Sequence, residues 1–124
     1  MGCDVCIGTD SLEECFDFSI VETRKARKPH KCCECGMEIT PPATYEHVVG
    51  KYQEEFSIYE TCSLCVEIRD VFTCGNSWYY GQLWEEMEEY AFEHLTTASE
   101  CFRELSPEAK AYVLEEWQEW KGLR

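Results

Sequence analysis

The chain is short of positive charge: 11 Lys and Arg stand against 25 Asp and Glu, for a formal net charge of −14. A surface of that sign repels phosphate and excludes strong nonspecific binding to nucleic acid, while it attracts basic partners. Long apolar runs are also missing, since no segment approaches the roughly 20 consecutive apolar residues that a membrane span needs. The N-terminal "MGCDVCIGTDSLEEC" has neither a basic start leading into an apolar run nor a small-residue cleavage site, so the expected location is the cytoplasm, with reduced thiols. The myristoylation pattern calls for Ser or Thr at position 6, where this chain has Cys6, so lipidation is set aside. There is no glycine-rich phosphate loop, no internal repeat and no low-complexity tract. With 124 residues, the expectation is a single domain over 1–124, a β-rich part at 1–75 followed by an acidic helical part at 76–124.

What the sequence has in excess is cysteine, ten residues of it. In a reducing compartment the outlet for so many thiols is metal. Cys32 and Cys35 form one C-x2-C pair and Cys62 and Cys65 another, with residues 36–61 between them. A C-x2-C turn presents two thiolates to one ion at the spacing that tetrahedral zinc accepts, so these four are the expected ligands of a structural zinc. Gly36 follows the first pair, where a knuckle's exit turn calls for positive φ.

The elements around the cysteines read as α+β. "FDFSIV" alternates Phe16, Phe18 and Ile20 as a half-buried strand does, and a basic segment then leads into the first pair. "TYEHVV" and "EFSIYE" flank "GKYQE" as a hairpin whose loop is somewhat longer than the tightest turn. "TCSLCVEIRDVF" opens at the second pair and places Val66, Ile68, Val71 and Phe72 along a short helix. Three amphipathic helices are expected after it. The first carries a stripe of Leu83, Trp84, Met87, Tyr90, Ala91 and Leu95 with Glu85, Glu86, Glu89 and Glu93 outside. "TASE" has capping-box form and opens the second, with Ala98, Cys101, Phe102 and Leu105 on one side. Ser106 as N-cap and Pro107 at the first position open the third, packed through Ala109, Val113, Trp117 and Trp120.

Knuckle, hairpin, then a second knuckle opening a helix resembles a treble-clef zinc finger over residues 30–72, which identifies a fold and no activity. The longer stretch "RKARKPHKCCECGMEITPPATYEHVVGKYQEEFSIYETCSLCVEIRD", preceded by an N-terminal cysteine pair, resembles a group of small phage and prophage proteins of largely uncharacterised function, over roughly residues 1–95. In that group the run after the first knuckle reads more like I-x-P-G-x-x-Y; here it is "ITPPATY", with Pro42 at the glycine's place. The resemblance implies a phage-encoded protein working in the host cytoplasm.

Of the remaining thiols, Cys15 and Cys101 are expected as packing residues. Cys3 and Cys6 form a terminal C-x2-C that gains order by binding metal, and Cys33 and Cys74 are the candidates to complete a second zinc site with them. His30 competes for the fourth place, while His47 and His94 read as ordinary polar residues. Catalysis is not expected. Metal ligation consumes the thiolates in the chain's most basic neighbourhood, and the nucleases built on treble clefs need further histidines where Glu67, Arg69 and Asp70 stand.

Two binding roles remain. In the preferred one, the acidic helices engage a basic surface on a host nucleic-acid-handling or defence protein, imitating nucleic acid in the manner of an anti-CRISPR protein. In the alternative, Arg24, Lys25, Arg27, Lys28 and Lys31 lie along a phosphate backbone, with Tyr45, Tyr52 and Tyr59 as stacking surfaces. The oligomeric state is left open.

Overall fold

A computed structural model describes residue 7 and residues 18–52, 54–73 and 80–122. The fold is α+β, a small antiparallel sheet with helices. Strand β1 (Phe18–Lys25) is followed by the short β2 (His30–Lys31) and β3 (Glu38–Ile39), then by β4 (Thr44–Tyr52) and β5 (Glu55–Cys62). β1, β4 and β5 form one sheet in that order, and β2 with β3 forms a two-stranded ladder around the first cysteine pair. Helix α1 (Ser63–Phe72) follows directly. α2 (Leu83–Glu86) runs into a π turn at Met87–Ala91, and α3 (Glu100–Arg103) and α4 (Pro107–Gly122) complete the described chain. Among the described residues no helix is long and apolar enough to cross a membrane.

The hairpin expected from "TYEHVV" and "EFSIYE" is present, but tighter. Pairing continues to Tyr52 opposite Glu55, so the connection is only residues 53–54, and Glu54 takes φ +68° to close it. β1 also runs further than its apolar alternation suggests, carrying Arg24 and Lys25 into the ladder opposite Tyr45 and Thr44. An edge strand tolerates such charge because one side of it meets water.

The register places Ile20, Val49 and Ile58 in one row and Glu22, His47 and Glu60 in the next row of the same face. The opposite face carries Val48, Thr61 and Glu46 toward the interior. Val48 and Thr61 are fully buried, and the Glu46 carboxylate receives both terminal nitrogens of Arg69 from α1 at 2.8 and 3.0 Å. Arg69 also reaches Asp70 at 3.1 Å and is only 3% exposed. Burial by itself would weaken its positive charge, but the Glu46 carboxylate outweighs this and holds the proton more firmly than usual.

One cluster of buried side chains runs from Ile39, Tyr45 and Ile68 through Leu83 and Met87 to Phe102, Ala109 and Val113. The last helix begins where the sequence places it: Ser106 Oγ accepts the Ala109 N–H at 3.3 Å, with Pro107 at the first helical position. Glu67 on α1 secures the same cap, accepting the Ser106 N–H at 2.6 Å and hydroxyl at 2.9 Å.

Two helix readings need correction. The first stripe omits Phe92 and includes Tyr90, whereas Phe92 is buried and Tyr90 is 54% exposed. The cause is the π turn, in which the Phe92 N–H donates to Met87 O at 2.8 Å, five residues back, so the inward face advances by one residue. Before α3 the side-chain bonds join Thr96 to Ser99 rather than Thr97 to Glu100, and Ser99, the N-cap, makes no side-chain bond into the helix. Ser99 Oγ accepts the Thr96 N–H at 3.0 Å, and Thr96 Oγ1 accepts the Ala98 N–H at 3.2 Å. Ala98 is therefore exposed, while Cys101, Phe102 and Leu105 point inward as read.

Arg69→Ala leaves the Glu46 carboxylate without its partner, and the expected cost is about 3–5 kcal/mol. Urea unfolding checks it, as a lower midpoint at unchanged slope.

Candidate metal centre

The first cysteine pair sits in the turn between β2 and β3. The Cys32 N–H donates to Met37 O at 2.9 Å and the Gly36 N–H to Cys32 O at 3.0 Å, which closes the knuckle. Gly36 has φ +75°, the left-handed conformation its position called for. The second pair spans an element boundary, with Cys62 ending β5 and Cys65 in the first turn of α1. The Cys33 N–H docks the knuckle on β5 by donating to Glu60 O at 2.8 Å, which brings the two pairs together.

The sulfurs of Cys32, Cys35, Cys62 and Cys65 all lie within 4.8 Å of one another. Zinc bonded to sulfur at about 2.3 Å in a tetrahedron separates its ligands by about 3.8 Å. Cys35 Sγ and Cys62 Sγ are 3.8 Å apart. The quartet is compatible with one zinc ion. Cys32 and Cys65 are buried and the other two partly so. Backbone amides are aimed at the sulfurs: Glu34 N–H and Cys62 N–H each reach Cys32 Sγ at 3.4 Å. Such donors stabilise thiolates and orient them on a metal.

The four groups cannot all be ionised side by side without a cation. Cys35 raises the Cys32 thiol, but Cys62, Cys65 and the Cys62 amide lower it further, to a net value of about 6. Cys35 is pulled well below the ordinary thiol range, chiefly by Cys32, then by Cys62 and Cys65. Cys62 and Cys65 are driven far above it, each first by Cys32 and next by Cys35. Ionising one of these sulfurs therefore opposes ionising its neighbours, and a bound cation is what would let all four ionise.

One side chain ties this centre to the helical part, and a second lies near it. The Glu34 carboxylate, between the ligands of the first pair, accepts the Gly81 and Leu83 N–H groups at 2.9 Å each and so holds the start of α2. Burial raises its pKa, and those two amides partly offset the rise. Tyr112 of α4 is held protonated well above the ordinary range, first by burial and then by hydrogen bonding to Cys35. Neither Glu34 nor Tyr112 stands out in the sequence, because both partners lie far along the chain.

Cys33 points away from the quartet, as its place inside the knuckle requires, and its sulfur lies 3.4 Å from Thr61 Oγ1. Burial pushes this thiol up to about 11, with Thr61 opposing. Cys3, Cys6 and Cys74, the other members of the expected second site, lie outside the described residues, as does Cys15. His30 is occupied elsewhere: its Nδ1 is 3.0 Å from Glu60 Oε2, and its ring packs on Tyr45 at 4.7 Å. His47 Nδ1 approaches the same Glu60 oxygen at 3.4 Å but out of line for a hydrogen bond. Cys101 is buried as expected, but it is disulfide-bonded, and its partner is none of the five described free cysteines. A half-cystine is as apolar as a thiol, so the helix pattern could not separate the two.

The basic residues singled out in the sequence are partly assembled. Arg24, Lys25, Arg27 and Lys28 line one open cleft with His30 and Tyr45, while Lys31 does not join them. Of the three tyrosines, Tyr45 is 5% exposed and Tyr59 is stacked on Tyr80 at 5.0 Å. The Tyr52 side chain lies outside the described set.

Comparison with protein-family models, with curated proteins and with solved structures returned no match.

Metal binding at pH 7 is expected to release protons from thiols of the quartet, so affinity falls as pH falls, by about tenfold per pH unit for each thiol that must ionise. Cobalt titration with a pH-indicator dye reads both effects. Cys35→Ser is expected to lose the sulfur-to-cobalt absorption of a four-sulfur site, and Cys33→Ser to keep it.

Proposed function

We propose that the protein is a non-enzymatic binding protein built on a structural zinc ion, with residues 30–72 arranged as a treble clef. The observation that carries this reading is the closed donor set, in which all four groups at the centre are cysteines held within 4.8 Å. Catalytic zinc keeps an open position for water or substrate, whereas four-cysteine zinc is the structural type. When bound, the ion supplies the charge that lets four thiolates coexist. The chain's own contribution is to fix the knuckle, and Glu34 then positions α2.

What this frame presents is an acidic surface. Glu116 is held above the usual carboxylate range by burial first, and then by repulsion from Glu119, Glu115 and Glu88. Glu88 lies in the π turn and the others on α4, so carboxylates of two elements act as one negative field. In this reading the field engages a protein with a basic surface. The resemblance to small phage and prophage proteins makes that partner a host nucleic-acid-handling or defence protein, met in place of its nucleic acid. Such contacts weaken steeply with salt and act largely on association rate.

A second reading rests on the cleft lined by Arg24, Lys25, Arg27, Lys28 and His30, in which a nucleic-acid backbone would be the ligand. The net charge of −14 opposes it. A shift assay with labelled DNA at low salt, using zinc-loaded protein, separates the two. No shift is expected, and a shift abolished by Arg27→Glu would transfer the function to the cleft. For the preferred reading, zinc-loaded protein on beads should retain basic host proteins at low salt, and the triple charge reversal Glu88→Lys, Glu115→Lys, Glu119→Lys should release them with zinc content unchanged. Retention that survives the reversal would remove the acidic surface from the mechanism.

A further inference from the structure

The two edges of the three-stranded sheet differ. The outer edge of β5 is engaged by the knuckle, through the bond from Cys33 N–H to Glu60 O. β1 pairs with β4 on one side and, among the described residues, with no strand on the other. Every side chain from Ile20 to Lys25 is exposed, including Ile20 at 51% and Val21 at 54%. Successive residues of a strand point to opposite faces, so exposure of both means that neither face of β1 is covered.

The direction of the backbone groups follows from one bond. Ala26 N–H donates to Ala43 O at 2.8 Å and continues the β1–β4 register, so the even-numbered residues of β1 aim their N–H and C=O groups at β4. Ser19, Val21, Thr23 and Lys25 therefore turn theirs outward. Among the described residues this edge has no partner strand, and such an edge is ready to add one.

We propose that the strand added is β1 of a second copy, antiparallel, about a two-fold axis through Thr23. In that register the outward-facing groups of Val21 meet those of Lys25 in the other copy, and Thr23 meets its own counterpart. Glu22 then stands opposite Arg24, twice by symmetry, in the non-hydrogen-bonded positions where side chains come closest. Sliding the copies by two residues in one direction sets Glu22 against Glu22, and in the other sets Arg24 against Arg24. Like charges directly opposite one another are destabilising, so charge selects the Thr23 register. Within one chain Glu22 and Arg24 already lie 3.3 Å apart and half-exposed, free to exchange that contact for the one across the axis. The alkyl stem of Lys25 covers the exposed Val21 of the other copy. The strand carries more positive than negative charge on a chain of net −14, which lowers the repulsion as two acidic bodies approach. The product is a six-stranded sheet continuous across the axis. The contact area is small, so the dimer is weak, with a dissociation constant on the order of micromolar or above.

Sedimentation equilibrium of the zinc-loaded full chain tests this, with three samples: wild type, Glu22→Arg and Arg24→Glu. Wild type is expected to show a concentration-dependent dimer. Each variant places like charges across the axis and should dimerise roughly tenfold more weakly. In a mixture of the two, a chain with arginine at both positions faces a chain with glutamate at both, so each cross-axis pair again joins opposite charges. The mixture should therefore restore dimers, as heterodimers. That rescue cannot come from repair within one chain, because each variant has lost its own Glu22–Arg24 pair. A wild type that stays monomeric up to hundreds of micromolar, single variants that dimerise as well as wild type, or a mixture that does not associate would each overturn the proposal.

Discussion

Four sulfur atoms within 4.8 Å of one another cannot all carry charge unless a cation sits among them, and the fold around them is organised by that constraint. To bring Cys32 and Cys35 against Cys62 and Cys65, the chain must fold a knuckle back onto the end of β5, where the hydrogen bond from Cys33 N–H to Glu60 O docks it. β5 must also pass without a break into α1, so that a strand end and a helix start each supply one ligand. A metal held there would cross-link segments that are distant in sequence, so that a core of modest size would suffice.

The helices are attached to this centre by polar contacts as well as by apolar packing. Glu34 holds the first amides of α2, and Glu67 completes the N-cap of α4 through Ser106. Arg69 clamps α1 to β4 through Glu46. Each uses a carboxylate at least partly withdrawn from water, where a hydrogen bond to a charged group contributes more than it does at the surface. On α4, burial first and then the nearby Glu119, Glu115 and Glu88 raise Glu116. Glutamates therefore stand in two settings: a few act as structural acceptors, and others crowd together on α4 and the π turn.

Residues whose meaning is local were legible in the sequence. The two C-x2-C pairs, the positive φ of Gly36, the Ser106–Pro107 start of α4 and the alternation of the β4–β5 hairpin depend on neighbours within a few positions. Where the reading slipped, a non-local or non-repeating feature intervened. Tyr90 was placed inside and Phe92 omitted because a strict 3.6-residue period does not foresee an i to i+5 hydrogen bond. Arg69 appeared as one more charge on a helix, and only the arrival of Glu46 from β4 makes its burial tolerable. His30 looked available for a metal until Glu60, far along the chain, came within 3.0 Å of its ring.

The sequence by itself determined the zinc-compatible cysteine quartet and the charge balance of this protein, because residue type and spacing within a turn are properties of four or five consecutive residues. It also determined that the structure would be α+β, through the change from a two-residue to a helical period along the chain. The tertiary structure alone decided which carboxylates are structural, which face of the sheet stays open and which edge of it has no partner strand among the described residues. Those depend on where separate elements meet, and the physical reason is that a carboxylate or a strand edge reads identically in sequence whether its partner is water or another part of the fold.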